Sequence, residues 1–259
     1  MEETKMSIYI CGDIHGQYGL YEKMLEGIRF GADDRLYVIG DMIDRGPDGI
    51  KILQDVRKRE NVVCLLGNHE LMMYDYVTGT GETGEAWSMP NNGGTVSRTA
   101  FYRLPAEEQR EITAFLGELP LQVELEAGGR TWLLSHSSFL EDQGTVKWRE
   151  IPGGDVFDVV WNSPWRFWEY IPIERYQEDG RFHIIGHVPV QRLGAGEWPE
   201  HRVPAMPAAF VDQKHHVANI DLGCAGYDLR MRGGTYSLCC MNLTEFAEGD
   251  PEKAFTYYF

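Results

Sequence analysis

Three times in its first 75 residues this chain repeats one pattern: an apolar run that ends in Gly followed by Asp or Asn. The runs are "SIYICGD" (7–13), "RLYVIGD" (35–41) and "NVVCLLGN" (61–68). Between them stand "GLYEKMLEGI" (19–28), with Leu20, Met24, Leu25 and Ile28 at helical spacing, and "PDGIKILQDVRKR" (47–59), which opens on Pro47 and continues as an amphipathic helix. Strands alternating with helices predict parallel pairing through right-handed crossovers. In such sheets ligands gather at the carboxyl ends of the strands, which is where the polar residues stand here.

Further strands are expected in the hairpin 121–138 around Gly128 and Gly129, in "FHIIGHVPV" (182–190), in "HHVANIDLG" (215–223), in "GTYSLCCMNL" (234–243) and in the tail 254–259. Residues 104–119 read as a helix and 144–181 as aromatic, helical or irregular. The Gly-, Thr- and Asn-rich stretch 77–99 and the stretch 194–210 read as loops facing the substrate. The expectation is α/β: one domain over 1–259, a sandwich of two mixed sheets flanked by helices, with its active site at the carboxyl ends of the strands.

Composition narrows the function. A formal net charge of −16 disfavours tracking a nucleic-acid backbone, so no nucleic-acid partner is expected. No apolar run approaches the roughly 20 residues of a membrane span, and "MEETKMSIYI" lacks the basic start of a signal peptide. A cytoplasmic protein without a membrane partner is the expectation. The five cysteines form no C-x-x-C pair and read as buried free thiols.

The residues at the strand ends are Asp13, His15, Asp41, Asp44, Arg45, Asn68, His69, His136 and His187. Singly, each has an ordinary reading as a turn, cap or structural residue. As a set they are carboxylates, imidazoles and one amide, all metal-capable, plus an arginine. Mixed oxygen and nitrogen donors suit a borderline divalent ion. There are more of them than one catalytic ion needs, and they fit two ions sharing a carboxylate.

"GDIHG" (12–16), "GDMIDRG" (40–46) and "GNHE" (67–70), followed by His136 and "GH" (186–187), resemble the five-block signature of the calcineurin-like metallophosphoesterases. Asp44-Arg45, Glu70, "WSMPNNGGT" and "NIDLGCAGYDLRMRGGTYSLCCMN" resemble the phosphoprotein phosphatase branch, especially its compact bacterial and phage members. The resemblance implies two divalent ions, manganese first, with iron or zinc as alternatives. Asp13 and His15 would hold the first, Asp41 would bridge, and Asn68, His136 and His187 would complete the second. Arg45 would bind phosphate, and His69, oriented by Asp44, would be the general acid. Hydroxide held between the ions would attack phosphorus in line. Ser138 stands where the family usually has Gly, and Val188 where Thr is common. In "VVWNSPWRFWEY" the expected second phosphate-binding arginine is out of register, leaving Arg166 as either that residue or a stacking surface residue. His183 reads as structural, His201, His215 and His216 as loop or strand-surface residues, Asp221 as a turn residue, and Glu70 as support at a helix N-terminus.

The resemblance implies a phosphomonoesterase acting on phosphoserine or phosphothreonine in a protein or peptide, with phosphotyrosine open as well. Hydrolysis of dinucleoside polyphosphates is the alternative. Glu70 disfavours it, because the diadenosine tetraphosphatase relatives commonly carry Asp there. A non-catalytic phosphate-binding scaffold is the third reading, weakened because every matching position is filled. Oligomeric state is not legible in the sequence.

Overall fold

The computed structural model describes residues 6–165, 171–193, 208–226 and 236–259. In chain order its strands are β1 (Ile8–Cys11), β2 (Arg35–Val38), β3 (Val62–Cys64), β4 (Pro120–Ala127), β5 (Arg130–Ser135), β6 (Val146–Lys147), β7 (Phe182–Ile185), β8 (Phe210–Asp212), β9 (Val217–Asn219), β10 (Leu238–Asn242) and β11 (Phe255–Tyr258). One sheet has the order β11-β10-β1-β2-β3, the other β6-β4-β5-β7-β9-β8. In each, three adjacent strands run parallel: β1, β2 and β3 on one side of the first sheet, β5, β7 and β9 in the interior of the second. The strands outside these trios pair antiparallel, so both sheets are mixed, as expected.

Side-chain alternation builds the layers. In β10, Cys239 and Met241 join Ile10, Ile39, Leu134, Ile184 and Ala218 in a core between the sheets. Leu238 and Cys240 face the other way, with Cys11, Leu36 and Val38, into a core under helices. A strand covered on both faces reads as a continuous apolar run, which is why β1 and β10 lack polar alternation. Burying each large aliphatic side chain stabilises the fold by roughly 1.5–3 kcal/mol. The helical cover on the first sheet includes α1 (Tyr18–Gly27), which buries Leu20, Tyr21 and Met24, and α2 (Gly49–Val56), which buries Ile50, Ile52, Leu53 and Val56. The five cysteines are buried and free. No helix of the described residues is long and apolar enough to cross a membrane.

The stretch 77–99 departs from the expected loop. After α3 (Asn68–Thr78) come α4 (Gly84–Trp87), a 3-10 turn at Pro90–Asn92 and α5 (Thr95–Phe101), ahead of α6 (Ala106–Gly117). Trp87 and Phe101 are fully buried in the helix-side core, so tertiary packing overrides the weak local helix propensity of Gly, Thr and Asn. Of the other expected loop, residues 194–207 lie outside the described residues, and its end is the first residue of β8, a strand the sequence reading did not anticipate.

Candidate active site

Register places the ends of the three motif strands level. Cys11, Val38 and Cys64 are successive partners across β1, β2 and β3, so "GD", "GD" and "GN" emerge along one edge. In the second sheet the register pairs Leu134 with Ile184 and Ile185 with Asn219, so His136, His187 and Asp221 emerge along the matching edge. The two edges are joined directly. The ring Nδ1 of His136 lies 2.8 Å from the Ile39 carbonyl, and the His187 amide donates to both oxygens of Asp13 at 3.3 and 3.1 Å.

The backbone bends sharply here. His15, Asp41, Asp44, Arg45 and His187 all have positive φ, between 46° and 70°. L-residues occupy that region at a cost, and such strain gathers where a site demands a particular side-chain direction. Gly40, at φ 100°, has no alternative: a Cβ there would meet Gly67 Cα at 2.7 Å and His136 Nδ1 at 2.8 Å.

One carboxylate holds the bend after β2. Glu70, fully buried, accepts hydrogen bonds from the backbone N–H of Asp41 (2.7 Å), Met42 (2.9 Å), Ile43 (3.3 Å) and Gly67 (3.1 Å). It supports the start of α3 as expected, but it also clamps the loop that carries Asp41. Burial beside Asp41 pushes its carboxyl up to about 8, while the amides pull the other way.

Asp41 lies at the centre of two groups of metal-capable atoms, each lying within 4.8 Å of one another: His15, Asp41 and His69, and Asp41, His136 and His187. Burial alone would raise the Asp41 carboxyl, but the imidazoles of His136, His69, His15 and His187 prevail and hold it well below the usual range. Burial pushes His15 and His136 down, and the Arg45 guanidinium adds to this at His15. Both rings point Nδ1 at a carbonyl, of Ile43 at 3.1 Å and of Ile39 at 2.8 Å. Nδ1 therefore carries the proton, and Nε2 keeps its lone pair for the site, the form a metal requires.

The Asn68 amide is the test of whether a cation fits. Its Oδ1 lies 3.1 Å from His136 Nε2, 3.2 Å from His187 Nδ1 and 3.2 Å from each Asp41 oxygen. Acceptors converging on acceptors repel. The amide can turn its NH₂ inward, or a cation can sit among them. Oxygen and imidazole donors, four of them at contact range and all but His187 buried, are a suitable set for a divalent ion.

The remaining residues fall around this centre. His69 and Asp44 are fully buried and paired, Nδ1 to Oδ2 at 2.7 Å. His69 Nε2 has no hydrogen-bond partner among the described residues and faces Asp41 Oδ2 at 3.9 Å. Asp44 is held further by Trp87, whose Nε1 lies 2.9 and 3.1 Å from its two oxygens, and by Ser97 Oγ, which accepts from the Asp44 amide at 2.9 Å. The Arg45 amide donates to the Gly93 carbonyl at 3.3 Å. The stretch 77–99 thus buttresses the site from helices. Trp87 and Ser97 were not singled out in the sequence, where only "WSMPNNGGT" marked their neighbourhood. Two details differ from expectation. Asp13 stands outside both metal-capable groups because its carboxylate is turned to the His187 amide. The Arg45 guanidinium is directed at His15 Nε2, at 2.7 Å. Arg166 and His201 lie outside the described residues. His183 is structural, paired with Asp179 at 2.9 Å and packed on Phe139 and Tyr176. His215 closes a turn on Asp212 at 2.7 Å.

The chain belongs to the calcineurin-like phosphoesterase family, whose model matches residues 6–212. The family implies a site for two divalent metal ions, and the groups around Asp41 supply candidate ligands in His15, Asp41, His136 and His187. It is similar to serine/threonine-protein phosphatase 1 of Salmonella typhimurium, 30% identical over 190 residues that cover 71% of this chain and 80% of that one. It is also similar to a symmetrical bis(5'-nucleosyl)-tetraphosphatase of Wigglesworthia glossinidia brevipalpis, 44% identical over 68 residues; that match spans 26% of this chain and only 25% of the relative. A protein serine/threonine phosphatase structure from Saccharomyces cerevisiae superposes with a TM-score of 0.58, covering 98% of this chain and 79% of that one. At 12% identity that likeness shows the fold alone.

Proposed function

We propose that the chain is a phosphomonoesterase that removes phosphate from phosphoserine or phosphothreonine in a protein or peptide, with two divalent ions, manganese first among them. Asp13, His15 and Asp41 would hold one ion, and Asp41, Asn68, His136 and His187 the other. Bound there, the ions would supply positive charge to the phosphoryl oxygens and acidify water near neutral pH. The chain's own residues do the rest. Arg45, a planar cation at the exposed rim, swings from His15 to pair with phosphate oxygens. Asp44 accepts a hydrogen bond from His69 Nδ1–H and so fixes the ring, leaving Nε2 as the nitrogen that carries the proton to be given. That nitrogen passes its proton to the departing serine oxygen, which leaves poorly as an alkoxide.

The observation that carries this reading is the buried His69–Asp44 pair with an unpaired Nε2 facing Asp41. A protein substrate is supported by the relative whose likeness runs over most of both chains. Dinucleoside polyphosphate hydrolysis is the second reading, supported by the higher identity of the shorter match.

The leaving group supplies the test. Replacing His69 with Asn should lower turnover of a phosphoserine peptide about 10²–10⁴-fold. Turnover of an aryl phosphate with an activated leaving group should fall far less, and the manganese content should hold. Equal losses on both substrates would remove His69 from the role of acid.

A further inference from the structure

Asp221 has no part in the assignments above, yet it is built into the same edge. β1 and β9 touch as they leave their sheets: a Cβ on Gly12 would lie 2.5 Å from the Ile220 carbonyl. Asp13 and Asp221 each follow that contact by one residue. Both are 2% exposed. The like charge that bears most strongly on Asp13 is Asp221. Asp221 Oδ1 accepts from the Gly223 amide at 2.8 Å, and among the described residues the carboxylate forms no ion pair. Arg45 and Arg192 act on it only through space.

The segment is also tied to the His187 turn. Asn219, fully buried, donates from Nδ2 to the Val188 carbonyl at 2.9 Å and accepts the Asp221 amide on Oδ1 at 2.9 Å. The Val190 amide donates to the Asp221 carbonyl at 2.9 Å. The turn carrying His187, whose amide in turn holds Asp13, is thus fixed to Asn219 and Asp221 through Val188 and Val190, just after the histidine.

A buried carboxylate set against another carries a cost that turn geometry does not require, because a neutral side chain could accept the Gly223 amide equally well. A cation beside Asp13 reverses the sign of that interaction. We infer that Asp221 is a positioning residue of the metal centre, an auxiliary carboxylate that strengthens binding of the ion assigned to Asp13 and His15 without ligating it. The inference rests on the two-metal reading above.

Manganese binding to metal-free protein, followed by calorimetric titration without substrate, tests it. The wild type should take up two ions. Asp221→Asn and Asp221→Ser both keep an acceptor for Gly223 and lose the charge. Each should weaken one of the two binding steps about 10–100-fold. The metal-free variants should melt no lower than the metal-free wild type, because a like charge acting on Asp13 has been removed. Unchanged affinity in either variant would overturn the inference, as would a loss of affinity that follows a fall in the metal-free melting temperature. Failure of the wild type itself to bind two ions would instead overturn the metal-centre reading.

Discussion

At the scale of single residues, the site separates groups that adjoin in sequence. Asn68 turns its amide to His136, His187 and Asp41, His69 turns to Asp44, and Glu70 turns back to the loop after β2. The identities of the strand-end residues were legible because carboxylate, imidazole and amide recur at equivalent positions. Their supports were not. Trp87 reaches Asp44 across 43 positions and Ser97 across 53, and no local pattern encodes such a pairing. Glu70 appeared as helix support because only its nearer bond, to Gly67, is local. Trp87→Phe keeps an aromatic ring in this buried position and deletes the N–H that meets the Asp44 carboxylate. It should lower stability by about 1.5–3 kcal/mol, the range for a hydrogen bond to a charged group, read as a shift in denaturant midpoint at constant slope. A change below about 0.5 kcal/mol, the level of an ordinary surface substitution, would mean that Asp44 is held by other groups.

At the scale of elements, strands and long helices were readable from apolar runs and helical spacing, whereas the helices of 84–101 were not. Gly, Thr and Asn dominate that stretch, and only the burial of Trp87 and Phe101 makes it helical. The approach to β7 shows how a strand entrance depends on pH. His183 is buried with Nε2 2.9 Å from Asp179 Oδ2, and Asp179 also accepts two bonds from Arg181. Burial lowers His183, with Asp179 pulling the other way. Asp179, which burial would raise, is instead held below the usual range by His183 and Arg181. As pH falls through about 6.5, the unfolded chain takes up a proton at His183 before the folded one does, so stability declines. Asp179 adds its own loss only below about pH 4, where the unfolded chain takes up a proton there before the folded one does. His183→Gln cannot titrate and should therefore show a flatter stability profile between about pH 6.5 and 5 than the wild type. Parallel profiles from chemical denaturation would contradict the coupling.

At the scale of the whole molecule, the parallel strands of two sheets end at facing edges and bring Asp41, His15 and His69 from one against His136 and His187 from the other, with strained backbone at His15, Asp41 and His187. A net charge of −16 is offset locally at a site suited to cations: His15 and His136 turn Nε2 inward, the Asn68 amide lies among Asp41, His136 and His187, and Arg45 stands at the rim. Substrate class separates the two readings of the site. Manganese-loaded protein should be given a phosphoserine peptide, a phosphotyrosine peptide and diadenosine tetraphosphate, and kcat/KM compared across the three. The phosphoserine peptide should exceed the dinucleotide by about tenfold or more, a transition-state difference of about 1.4 kcal/mol. A higher kcat/KM for diadenosine tetraphosphate would contradict the account and assign the chain to the dinucleotide reading.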